Sequence, residues 1–145
     1  MTASKHNTPS DDAPPRDGWE PMSFPQSFTE RAGPYYVRKA PNEPGIGFYA
    51  RDHHLNLGGV VHGGALLSLA DMGLWDVCRR KVGAFRGSTV TLNSEFAAPG
   101  KSGTFIETSG ELVRAGRRLV VVRGLVTCEG ETLLSYSGTL QIKRS

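Results

Sequence analysis

What this sequence has little of narrows the field first. No stretch of about 18 consecutive apolar residues occurs, so no segment reads as a membrane-spanning helix. The N-terminus has no apolar run behind Lys5 and does not read as a secretory signal. Cysteine is scarce: Cys78 and Cys128 are the only two in 145 residues, too few for a disulfide framework, and both read as buried, reduced thiols. A cytoplasmic protein is the expectation. His, Cys and acidic residues nowhere cluster at ligand spacing, and the His53-His54 pair has no second group to join it, so no metal or other cofactor is expected. Lys and Arg exceed Asp and Glu by 17 to 14, but they are scattered and lack interleaved aromatics, which argues against a nucleic-acid partner.

The chain is long enough for one domain with a sizeable core. Residues 1–22 are rich in Ser, Thr, Asp and Pro and read as a disordered or loosely packed tail, leaving 23–145 as the single domain. The tail holds two basic and four acidic side chains, so the domain carries 15 basic against 10 acidic, a net of +5. A small polyanion such as the phosphates of coenzyme A suits that surface better than a nucleic acid does.

The most informative stretch runs from Asn56 to Asp71, NLGGVVHGGALLSLAD. Paired glycines open a proline-free segment from Gly63 to Lys81 whose Leu66, Leu67, Leu69, Ala70, Leu74, Trp75, Val77 and Cys78 leave almost no polar face. That pattern predicts a long helix buried on all sides. Arg79, Arg80 and Lys81 complement its carbonyl end, and Gly83 is the expected left-handed stop. At its other end Gly63 and Gly64 leave backbone N–H groups unobstructed, a place to bind an anion or a carbonyl oxygen gaining negative charge. The helix contains two acids. Asp76, one turn from the basic end, is expected to reach solvent. Asp71, among Leu67, Ala70, Leu74 and Trp75, is either a structural acid bonded to a neighbouring strand or a base or nucleophile tuned by burial. Gly63 and Asp71 are eight residues apart, roughly 12 Å along a helix, so one reacting carbon cannot touch both within a single chain. If both act, they come from different subunits, and the active form is a two-fold dimer or a dimer of dimers.

Around this helix the sequence reads as strands. Residues 35–37 and 46–55 precede it, separated by the turn Pro-Asn-Glu-Pro-Gly-Ile-Gly, with 24–31 as a short turn or helix before them. Four runs follow, at 88–96, 103–114, 118–128 and 132–143, joined by short turns that make them antiparallel neighbours. The expected class is α+β: a curved antiparallel sheet of about six strands wrapped around one long central helix.

That order, with Asn56, His62-Gly63-Gly64 and Asp71 at these spacings, resembles the hotdog fold and within it the PaaI-like acyl-CoA thioesterases. Gly87-Ser88-Thr89, Arg114-Ala115-Gly116-Arg117-Arg118 and Gly138-Thr139 also look like family features, and the resemblance covers about residues 34–143. It implies hydrolysis of an acyl-CoA, with a medium-chain or aromatic acyl group and coenzyme A present only as part of the substrate. By the same resemblance the Gly63 amide binds the thioester carbonyl, with Gly64 beside it. Asn56 places substrate or water, His62 lines the pocket, and Thr89 helps orient water. Asp71 of a partner acts as general base or nucleophile. Arg114, Arg117 and Arg118 are candidates for coenzyme A phosphates, and Trp75 and Met72 for an acyl pocket. Each also has a plain alternative: Asn56 as a turn cap, His62 as a helix cap, Thr89 as an ordinary strand residue, the arginines as solvated turn charges, Trp75 and Met72 as core. The rival functions are a non-catalytic acyl-CoA-binding protein and a hotdog hydratase or dehydratase; the latter families carry a Pro-Gly-Val run that is absent here.

Overall fold

The computed structural model describes residues 16–144. Its elements are β1 (Trp19–Pro21), α1 (Phe28–Ala32), β2 (Tyr36–Arg38), β3 (Ile46–Tyr49), α2 (Gly63–Val82), β4 (Phe85–Phe96), β5 (Phe105–Ala115), β6 (Leu119–Cys128) and β7 (Glu131–Arg144). The strands form one antiparallel sheet in the order β1-β2-β3-β5-β6-β7-β4. α2 lies along it, against β3 through β7.

The core forms where the apolar stripe of α2 meets the inward side chains of the sheet. Leu66, Leu69, Ala70, Leu74, Val77 and Cys78 of α2 pack with Phe48, Ile106, Val120, Val122, Val126, Leu134 and Leu140, all nearly or wholly withdrawn from solvent. Each large aliphatic side chain buried this way contributes about 1.5–3 kcal/mol. Helix and sheet approach closely because Gly73 faces Thr108: a Cβ on Gly73 would lie 2.8 Å from the threonine side chain. The helix ends as expected at Gly83, whose φ is +79° and whose N–H donates to the Arg79 carbonyl.

Four features differ from the sequence reading. The sheet has seven strands, because Trp19–Pro21 pairs with β2, Trp19 opposite Arg38. The domain therefore begins before residue 22: Trp19 is buried, edge-on to Phe105 at 5.0 Å with the Arg38 guanidinium 4.7 Å from its ring. Residues 1–15, the greater part of the expected tail, lie outside the described residues. The strand expected over 46–55 stops at Tyr49, and Asp52–His54 turns as a short 3-10 helix, because His54 Nδ1 accepts the Arg51 N–H at 3.0 Å. Finally, α2 is not buried on all sides. Leu67, Ser68, Asp71, Met72 and Trp75 are half-buried, and Asp71 and Trp75 among them meet Thr89 of the edge strand β4.

Candidate active site

The turn before α2 is closed by Asn56. Its side-chain oxygen accepts the N–H groups of Gly58 at 2.9 Å and Val60 at 3.2 Å, and its backbone pairs with Val60 and Gly59. The side chain that the resemblance assigns to substrate or water thus has its oxygen committed to shaping the turn. His62 is the N-cap of α2, and its Nδ1 accepts the Gly64 N–H at 2.8 Å. The expected role of Gly64 as a binding donor therefore gives way to a structural one. Among the described residues the Gly63 N–H has no intramolecular partner, which leaves it as the donor at the positive end of α2.

Phe96, which nothing in the sequence marked, lies beside Gly63 at the start of α2. A Cβ on Gly63 would lie 3.2 Å from the Phe96 ring, which is itself 56 % exposed. A ring at the far end of β4 meeting the start of α2 is a long-range contact with no local sequence signal.

Two turns along the helix, Asp71 Oδ1 accepts a 2.6 Å hydrogen bond from the Thr89 hydroxyl, and Thr89 Oγ1 accepts the Trp75 indole N–H at 2.9 Å. The structure thus joins three of the expected residues, Asp71, Thr89 and Trp75, into one chain of hydrogen bonds and leaves Gly63, His62 and Asn56 at the other end of α2. Within one subunit the eight-residue separation of Gly63 and Asp71 stands.

A cleft of about 190 Å³ opens beside Asp71. α2 gives it Asp71, Met72, Trp75, Asp76 and Arg79; its other wall is Met22, Phe24, Thr29 and Ile46. Asp76 does not reach solvent as expected. Its side chain is 10 % exposed and its Oδ2 accepts from Arg80 at 3.0 Å and from the Gly45 N–H at 2.9 Å, so it anchors the helix to the turn before β3. Arg114, Arg117 and Arg118 are exposed around the β5–β6 turn, where Arg117 and Arg118 share a shallow hollow with Lys143 and Arg144. Leu140 of β7 lies between Thr89 and Val120, so this basic turn is on the Thr89 side of the sheet, two strands from it.

Three histidines gather near the start of α2. His54 is 3 % exposed, donates from Nε2 to the Ala32 carbonyl at 2.6 Å, and burial lowers its pKa to about 4. His53 Nε2 lies 2.7 Å from the Gly33 carbonyl, so the pair ties down the end of α1. No group of three or more His, Cys, Asp or Glu among the described residues is arranged to hold a metal ion, and no helix among them is long and apolar enough to cross a membrane.

The fold and the glycine-opened helix are those of a hotdog thioesterase of the PaaI-like kind. The Thioesterase superfamily profile matches residues 58–135, more than half of the chain, and the protein belongs to that superfamily. Among solved structures it is similar to an asparagine-to-aspartate variant of the phenylacetic acid degradation protein PaaI from Thermus thermophilus: 27 % identity, 81 % of this chain and 98 % of that one, TM-score 0.69. A second protein from the same organism is 28 % identical over 86 % of this chain and 100 % of its own, with a TM-score of 0.71. A structure from Streptococcus pneumoniae, described as a hypothetical thioesterase with coenzyme A, shares the fold at 23 % identity, 77 % and 88 % coverage and a TM-score of 0.65.

Proposed function

We propose that the chain is an acyl-CoA thioesterase whose site is completed by a second copy, Asp71 from one subunit acting on a thioester held by the Gly63 amide of the other. The observation that carries this reading is the placement of Asp71 and Thr89 beside a sheet edge that is unpaired among the described residues. β4 runs along α2 with Thr89 near Asp71 and Phe96 near Gly63. If β4 pairs with its own copy around a two-fold axis near Leu92 and Asn93, the Thr89 end of one strand meets the Phe96 end of the other. Asp71 then faces the Gly63 of the second copy, and the separation along one helix ceases to matter.

In that site the Gly63 N–H, at the positive end of α2, polarises the thioester carbonyl and stabilises the oxyanion. Asp71 Oδ1 is held by Thr89, and Oδ2 takes a proton from water. The resulting hydroxide adds to the carbonyl carbon, the C–S bond breaks, and the thiolate leaves and is protonated. The basic β5–β6 turn, on the Thr89 side of the sheet, suits the phosphates of coenzyme A. The cleft beside Asp71 takes the acyl group: at about 190 Å³ it exceeds the roughly 150 Å³ that accommodates benzene, which favours an aromatic or compact medium-chain acyl group.

The test is thiol release from a panel of acyl-CoAs by wild type, Asp71→Asn, Gly63→Pro and an equal mixture of the two variants. Proline removes the N–H and tolerates the first helical position. Each variant alone should lose about 100-fold or more. The mixture should recover about a quarter of wild-type activity, because half the dimers are mixed and each holds one intact site. No rescue would mean that the two groups do not complete one site across subunits, and would overturn the shared site. Acyl-CoA binding without hydrolysis by wild type would favour the binding protein, and hydration of an enoyl-CoA the hydratase.

A further inference from the structure

Trp75 does more than line the cleft. Its indole N–H is a donor only, so the 2.9 Å bond to Thr89 Oγ1 occupies a lone pair of that hydroxyl. The single hydroxyl proton of Thr89 then goes to Asp71 Oδ1 at 2.6 Å, and an ionised carboxylate can only accept. The polarity of the chain is thereby fixed from indole to hydroxyl to carboxylate, each bond strengthening the next. The indole plane is itself held, stacked on Phe85 with 5.1 Å between centroids and 22° between planes. The same ring forms a wall of the cleft together with Met72, Met22 and Phe24.

We infer that Trp75 is a positioning residue that couples occupancy of the acyl cleft to the orientation of Asp71 through Thr89. An acyl group of about one ring's bulk packs against the indole and holds it where its N–H orients Thr89. A two-carbon acyl group leaves the cleft unfilled, so the indole is held from the Phe85 side alone and fixes Thr89 less firmly. Selectivity for the acyl group therefore appears in kcat, where Asp71 acts, more than in KM. This inference rests on the proposed role of Asp71.

The test uses the full-length protein and two substrates, phenylacetyl-CoA and acetyl-CoA. Trp75→Phe keeps a ring in the cleft and removes the N–H. With phenylacetyl-CoA its kcat should fall about tenfold, the effect of one lost hydrogen bond, while KM stays within about twofold. The ratio of kcat between the two substrates should contract. In a Thr89→Val background Trp75→Phe should have no further effect, and Thr89→Ser should recover the activity that Thr89→Val loses. As a readout independent of turnover, the Trp75 indole N–H resonance should shift in Thr89→Val while that of Trp19 stays in place. The inference is overturned by an unchanged kcat in Trp75→Phe, by an equal loss in the Thr89→Val background, or by an indole resonance indifferent to Thr89. A rise in KM alone would reduce Trp75 to a wall. Full activity in Asp71→Asn would instead remove the proposed role of Asp71, a different failure from any of these.

Discussion

Acid should destabilise this fold through one histidine in particular. His54 packs 4.3 Å from the ring of Phe48, with both ring nitrogens engaged, Nε2 by the Ala32 carbonyl and Nδ1 by the Arg51 N–H. Burial lowers its pKa from 6.5 to about 4; the bond to Ala32 opposes the shift, and the neighbouring His53 and Arg51 add to it. Above pH 6.5 the ring is neutral in both folded and unfolded chains, and it contributes no pH dependence. As the pH falls from about 6.5 to about 4, the unfolded chain takes a proton that the folded chain refuses. Stability then drops by about 1.4 kcal/mol per pH unit, roughly 3 kcal/mol over the window. That is a large share of the 5–15 kcal/mol typical of a domain. Urea unfolding of wild type and His54→Gln between about pH 7.5 and about pH 5 isolates this contribution, because the carboxylates and other histidines cancel in the difference. The variant should be less stable at neutral pH, and its deficit should narrow by about 2 kcal/mol at the acid end. A deficit independent of pH would refute the reasoning, as would an NMR titration of His54 near its ordinary value.

Two further outcomes follow from the sheet. Trp19→Ala removes a buried ring that touches Phe105 and Arg38, and should cost about 3 kcal/mol in urea unfolding; a loss well under 1 kcal/mol would mean that β1 is not integral to the domain. Asn93→Glu puts like charges close together on facing β4 strands at the proposed two-fold axis, so sedimentation should show monomer gaining over dimer and activity falling with it; an intact, active dimer would argue against pairing through this edge.

Most of the architecture was legible because its signals are local. The glycine opening at Gly63, the basic last turn and the stop at Gly83 mark α2 to within a residue of its observed end. The four strands after it are long, rich in β-branched residues and separated by glycine-containing turns, enough to mark them from local sequence. What escaped is short or decided at long range. β1 is three residues long, too few to show alternation, and exists because β2 offers it a partner. The fold at Asp52–His54 is set by one side chain bonding its own backbone. Asp76, an exposed acid by its position in the helix, is drawn inward by Arg80 and the Gly45 N–H. In the site, Asp71, Thr89 and Trp75 were each readable as residue types, but their joining needed β4 laid along α2. The placement of Phe96 beside Gly63 needed the same.

The two walls of the cleft beside Asp71 have different origins along the chain. Asp71, Met72 and Trp75 lie within the stretch that matches the Thioesterase superfamily, whereas Met22, Phe24, Thr29 and Ile46 all precede it. The groups proposed for bond cleavage and half of the surface that would grip the acyl group thus occupy separate segments. Substitutions upstream of the glycine turn can reshape the cleft without displacing Gly63, Asp71 or Thr89. Substrate choice at the proposed site is therefore free to diverge faster than its chemistry.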